Sequence, residues 1–150
     1  MQVNEFYNIK ALFAEKGCAG ANDIYICAYK NPQKNQGMAE GMEYPYFGLM
    51  MDATDNGIGI FYIENKDPAT LLVLSMKKAE ILPDSFFFIP YSDMRMTVKN
   101  FNIFNKNTKR ITLEQLSNGK VHYLQAMVGD KMAVYNLDMI PKFSARFEKK

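Results

Sequence analysis

Acid–base or nucleophilic chemistry in this 150-residue chain would have to be assembled from one histidine, two cysteines and a few clustered carboxylates. A hydroxyl or thiol nucleophile needs a base within hydrogen-bond reach, and His122 is the only imidazole. Counting outward from Asn118-Gly119 places His122 on a strand opposite Gln115. That builds no triad, and His122 reads as a half-exposed strand residue. Cys18 and Cys27 have no Cys-x-x-Cys spacing, so one disulfide is geometrically open but a disulfide framework is not. With a single His they do not make a structural zinc site of the usual kind. Asp52, Asp55 and Glu64 could pair for proton transfer or hold a cation. Placed around Asn56-Gly57, the two aspartates are more simply turn formers. Gly37-x-x-x-Gly41 lacks the Lys-Ser/Thr ending of a phosphate loop, and Gly57-x-Gly59 does not open a helix.

Binding is better served than catalysis. Lys99 to Arg110 interleaves Lys99, Lys106, Lys109 and Arg110 with Phe101 and Phe104. Such a surface could track single-stranded nucleic acid, but alternating Lys and Asn also keep an edge strand soluble. The net charge of +2, from 18 basic and 16 acidic residues, is too balanced for binding by bulk electrostatics, so nucleic acid is not expected. Lys30 and Lys34, with Tyr29, flank the first long loop and make at most a weak basic cluster. Eleven methionines read first as filler for an irregular core. Met50 and Met51 fall on opposite strand faces, which leaves at least one for a covering helix or a partner.

The elements that must position these residues are short. Val3, Phe6, Tyr7, Ile9, Lys10, Phe13 and Ala14 follow a helical stripe, with Asn4 as cap and Gly17 as stop. Asp23–Tyr29 alternates as a strand apolar on both faces, and 31–44 is the longest loop. Asn56-Gly57, as the centre of a two-residue turn, pairs Ala53 with Ile60, Met51 with Tyr62, Asp52 with Phe61 and Met50 with Ile63. Asn118-Gly119 likewise pairs Leu116 with Val121, Leu113 with Leu124 and Ile111 with Ala126. Ile111, Leu113, Leu124 and Ala126 then share one apolar face. A strand at 70–76 precedes one broken by Pro90-Tyr91 between Phe86 and Val98. A last helix runs from about Asp138 to Phe147, capped by Asn136, because Pro141 is tolerated only near a helix start. No basic-then-apolar leader is visible and no run nears the roughly 18 apolar residues of a membrane span, so a cytoplasmic protein is expected. At this length one core can bury about two-thirds of the unfolded surface.

Two stretches resemble the bacterial pleckstrin-homology-like domains: Gly48-Leu49-Met50-Met51-Asp52-Ala53-Thr54-Asp55-Asn56-Gly57-Ile58-Gly59-Ile60-Phe61-Tyr62, a hairpin with a threonine near its turn, and Ile89-Pro90-Tyr91-Ser92-Asp93. The hairpin at 109–127 and the helix at 138–147 complete a likeness over about residues 23–147. Where that family usually has a basic residue after the threonine turn, this chain has Asn56-Gly57. The resemblance implies a mainly β fold with α: a partial barrel of two near-orthogonal antiparallel sheets in 23–150. A C-terminal helix caps it, and residues 1–22 form an extra helical extension. It also implies a non-enzymatic binding or scaffold domain with no cofactor. Such a domain would recognise a protein, a peptide or a second copy of itself along a strand edge or beside the last helix. The expected contact residues are Tyr29, Lys30, Lys34, Phe101 and Phe104. The alternatives are a small split β-barrel holding flavin, and an acidic-lipid surface binder with weak peripheral membrane contact.

Overall fold

Strands that are apolar on both alternating faces must be covered on both sides, and this chain supplies one helix for each side. The computed structural model describes residues 1–30, 47–65 and 79–148. In it β1 (Ile24–Lys30) and β2 (Gly48–Ala53) are buried almost throughout. β3 (Gly57–Asn65) follows them in an antiparallel meander. β4 (Ala79–Ile81), β5 (Phe87–Pro90), β6 (Met94–Asn102), β7 (Asn105–Gln115) and β8 (Val121–Met127) complete one eight-stranded antiparallel sheet. Its order is β4-β3-β2-β1-β8-β7-β6, with β5 also paired to β3. The expected strand at 70–76 and loop at 31–44 lie outside the described residues.

The outer edge of β3 is divided between two partners: β5 pairs Gly57 to Ile60, and β4 pairs Ile63 to Asn65. Between them the Tyr62 N–H donates to Ser85 Oγ at 2.8 Å and Tyr62 O accepts from Leu82 N at 2.9 Å, so no backbone group is stranded. From β5 the chain passes Pro90 and a 3-10 turn, Tyr91–Asp93, into β6 at the far end of the sheet order. The break expected at Pro90-Tyr91 is therefore the connection that carries the chain from one end of the sheet to the other. The sheet stays unclosed.

Its inner face carries Ile24, Ile26, Leu49, Met51, Ile58, Ile60, Ile89, Ile111, Leu113 and Leu124, covered by Ile140 and Phe143 of α2 (Asn136–Phe147). The outer face of β1–β3 carries Tyr25, Cys27, Met50, Phe61 and Ile63, covered by Ile9 and Phe13 of α1 (Phe6–Glu15). Met50 and Met51 do split between faces, but both are fully buried. α1 ends where Gly17 takes φ +87°. There Cys18 N and Gly17 N donate to Phe13 O and Ala14 O, the bonding of a Schellman cap.

Both hairpins pair two residues away from the expected register. Ala53 faces Ile58 and Met51 faces Ile60, while Ile111 faces Leu124 and Leu113 faces His122. The first turn is centred on Asp55-Asn56 because the Thr54 hydroxyl makes it, accepting from Asn56 N and Gly57 N at 3.2 Å and donating to Gly57 O at 2.8 Å. The second is a longer loop: Gln115 N donates to Lys120 O at 2.9 Å and Gly119 takes φ +70°. Asp93 holds that loop by accepting from Ser117 N at 2.8 Å and Ser117 Oγ at 2.7 Å. A slip of two keeps every side chain on its face, so the apolar patch of Ile111, Leu113, Leu124 and Ala126 survives. α2 begins before Asp138 because Asn136 is no simple cap. It is buried, its Oδ1 accepting from Cys27 N at 3.0 Å and its Nδ2 donating to Cys27 O at 2.9 Å. That pairing serves the part of β1 that β8 leaves bare, since β8 meets β1 only at Tyr29 and Lys30.

Candidate binding surface

The β6–β7 hairpin is the part of the described surface that its own fold does not explain. Asn102 faces Asn105, so the two residues at its apex are Ile103 and Phe104. Apex positions favour Gly, Asn, Asp and Ser, and here the turn chemistry comes from the flanking asparagines instead. Asn102 Oδ1 accepts from Phe104 N at 2.9 Å and Asn105 N at 2.8 Å. Asn105 Oδ1 in turn accepts from Asn107 N and Thr108 N, both at 3.1 Å. Ile103 and Phe104 are left 81% and 91% exposed, with Phe101 beside them at an irregularity in the β6–β7 pairing. Neither apex side chain contributes to either core.

Behind the tip the outer face of β6–β8 is polar. Ile111, Leu113 and Leu124 point to the core, so their neighbours Arg110, Thr112 and Tyr123 point away from it. Lys99 stands opposite Arg110, and Thr112 stands between Thr97 and Tyr123. Thr97, Lys99, Arg110, Thr112 and Tyr123 line a cavity of about 210 Å³. Among the described residues neither Lys99 nor Arg110 has an acidic partner; Arg95 pairs with Glu114 at 3.4 Å and Lys109 with Glu148 at 3.4 Å.

Of the contact residues expected from sequence, Phe101 and Phe104 come together at this tip. Tyr29 does not join them. It is buried on the outer face of β1 with its ring 5.4 Å from Phe47, and burial pushes its hydroxyl pKa far above the ordinary value. Lys30 ends the same strand, half-buried, with β8 and β7 between it and β6. Lys34 lies outside the described residues. Lys99 and Arg110 were legible in the basic-aromatic stretch, whereas sequence reasoning missed Thr97, Thr112 and Tyr123 as its neighbours, although their alternation with the apolar patch was a usable signal.

The residues with catalytic potential are divided by the sheet. His122 is buried, a correction to its half-exposed reading: it sits opposite Leu113 on the inner face, its ring 6.3 Å from that of Phe87. Burial, then Lys120 and Lys30, push its pKa down to about 4, so the ring is neutral near pH 7. Cys18 and Cys27 are free thiols on the other side, beneath α1. Asp52 is no turn former. It lies between Tyr25 and Gly59 on the outer face, fully buried, with neither carboxyl oxygen hydrogen-bonded among the described residues. Burial first, and Asp23 second, push its pKa up to about 9. A base and its nucleophile on opposite sides of a sheet cannot exchange a proton. Among the described residues no group of three metal-ligating side chains occurs, and no helix is long and apolar enough to cross a membrane. No family model matches the chain, and neither a curated protein nor a solved structure matches it.

Proposed function

We propose that this chain is a non-catalytic binding module of pleckstrin-homology-like architecture that docks through the tip of its β6–β7 hairpin. Support for the architecture comes from the two stretches that carry the resemblance. The Tyr91 hydroxyl donates to Thr54 O at 2.5 Å and Tyr91 N to Asn56 O at 3.2 Å, so the threonine turn and the Pro-Tyr break meet. The C-terminal helix over the inner face of an unclosed antiparallel sheet supports it in outline, but the strands run in one sheet where the resemblance implies two.

The observation that carries the function is the apex itself: Ile103 and Phe104 occupy turn positions at 81% and 91% exposure with no role in either core. A chain without tryptophan makes the test direct, because Phe104→Trp is then the sole indole reporter. Grown with 5-fluorotryptophan, the variant carries one fluorine, and its 19F line should shift or broaden with either the soluble or the membrane fraction of native cells, an effect that Ile103→Ser in the same protein should reduce. Ile103→Ser with Phe104→Ser should change stability by no more than about 0.5 kcal/mol, as for exposed sites generally. No change of that line with either fraction overturns the proposal, as does a large loss of stability.

A further inference from the structure

We propose that Asn118 is a site of spontaneous deamidation: the following backbone amide displaces its side-chain nitrogen, and the carboxylate so formed loosens the hold of Asp93 on the β7–β8 loop. Nothing in this depends on what docks at the β6–β7 tip. Asn-Gly is the dipeptide most open to the reaction, because glycine puts no Cβ beside its own amide nitrogen. The chain holds it twice, at Asn56-Gly57 and at Asn118-Gly119. In the first step Gly119 N bonds to Asn118 Cγ and gives its proton to solvent base. The Cγ–Nδ2 bond breaks and Nδ2 leaves as ammonia. Water then opens the cyclic imide at either carbonyl, to Asp or to its backbone-shifted isomer, isoaspartate. One water enters, one ammonia leaves, and nothing is oxidised. The Asn118 side chain is set for that first step. Its Oδ1 accepts from Lys120 N at 2.9 Å, closing an Asx turn whose ring contains Gly119 N. The same N–H polarises the Cγ carbonyl and stands where negative charge develops on Oδ1. Residues 116–120 are all exposed, so water reaches the loop. Nothing lies within 4 Å of the place a Gly119 Cβ would take, so the peptide has room to turn. Gly119 N donates to Gln115 O at 2.9 Å, a bond of an exposed loop that opens by local fraying.

The same dipeptide at Asn56-Gly57 is pinned on both sides of the reacting peptide. Asn56 O accepts from Tyr91 N and Gly57 N donates to Thr54 Oγ1, both at 3.2 Å. Gly57 is buried in register with Pro90, and the Ile89 carbonyl and Pro90 fill the space beside its Cα. Closing an imide there would require β5 to leave β3. At Asn118 the reaction instead strikes a relay. Asn118 Nδ2 donates to Gln115 Oε1 at 3.0 Å, and Gln115 Nε2 donates to Asp93 Oδ2 at 3.2 Å. Loss of Nδ2 removes the first donor and leaves two carboxylates competing for one Gln115 amide. Asp93 also accepts from Ser117 N at 2.8 Å and closes the turn that carries the chain from β5 into β6. The modification therefore acts on the contact between that crossover and the β7–β8 loop.

Native protein and protein unfolded in guanidinium chloride are incubated in mildly alkaline buffer made with 18O water. Peptide mass spectrometry then reads each Asn-Gly by the oxygen it takes up. Unfolded, the two sites should convert at similar rates. In the native protein Asn118 should stay within a few-fold of that rate. Asn56 should fall behind by at least about tenfold, the factor that each 1.4 kcal/mol of opening free energy supplies. Asn118→Asp fixes one of the two products, and hydrogen exchange at the Ser117 amide should then run several-fold faster than in the parent. An Asn118 that stays intact in the native protein, or that folding slows as much as Asn56, overturns the modification site. Unchanged exchange at Ser117 in Asn118→Asp overturns the coupling to Asp93.

Discussion

Asp52 is a carboxyl group where strand parity asks for an apolar side chain. It shares the outer parity of Met50, and both faces of β2 are buried, so it has no route to water. Gly59 across from it has no side chain, and a Cβ there would come within 3.1 Å of Cys18 Sγ and Phe86 Cε2, which fill that space. In the unfolded chain an Asp gives up its proton near pH 3.9. The folded protein holds it up to about pH 9 and so binds one more proton across that window. Stability contributed by the neutral carboxyl is therefore fully present in acid and declines as pH rises from about 4 to about 9. Asp52→Asn removes the ionisation. Urea unfolding should show the variant matching the parent near pH 4 and exceeding it by a few kcal/mol near pH 9, an order-of-magnitude figure. Parallel stability profiles would show that Asp52 does not hold the proton. Asp52 was legible as a charged residue in an apolar run; that the run is covered on both faces was not.

At the scale of elements, the first hairpin separates what a dipeptide suggests from what its neighbours impose. Asn56-Gly57 is a strong turn signal, yet Gly57 is needed for packing instead: a Cβ there would run into the Ile89 carbonyl and lie 2.8 Å from Pro90 Cα. β5 therefore lies against β3 only because that position is bare. Gly57→Ala should destabilise the protein by about 1–3 kcal/mol through overpacking. Thr54→Ala, which removes an acceptor for two N–H groups, should cost about 1 kcal/mol. Asn56→Ala should cost less than either, and urea midpoints rank the three. An Asn56 effect as large as that of Gly57 would return the turn to the Asn-Gly pair. Pro141 teaches the same lesson in α2. It sits inside the helix at an exposed position next to the turn bearing exposed Leu137, while Ile140 and Phe143 hold the helix to the inner core.

At the scale of the molecule, one sheet separates two cores, and each helix seals one of them. α1 is an integral cover, since Phe13 packs 4.9 Å from Phe61 and 5.7 Å from Tyr25, ring to ring. Beneath it Cys27 is fully buried, and burial pushes the thiols up to about 11 for Cys18 and about 12 for Cys27. Neither should react with a disulfide reagent in the native protein, because the thiolate is the reactive form. Phe13→Ala should cost about 3–5 kcal/mol and make Cys18 the first thiol to react. Rapid native labelling of both cysteines would show that α1 does not seal this face.

Composition and period alone determined the mainly β class, the helices at either end, the broken strand at Pro90 and the inner faces of both hairpins. These rest on local alternation, which survives a register slip of two. Register itself was decided by tertiary contacts, because Thr54 and Asp93 offered the two turns bonds that the Asn-Gly pairs could not outcompete. The burial of Asp52, His122 and Tyr29 depended on which strand faces would be covered, a property of helices far away in the chain. Phe101 and Phe104 were legible as candidates. Their isolation at an apex, with Lys99 and Arg110 converging behind them, required β7 to fold back on β6, since only antiparallel pairing places residues eleven apart side by side.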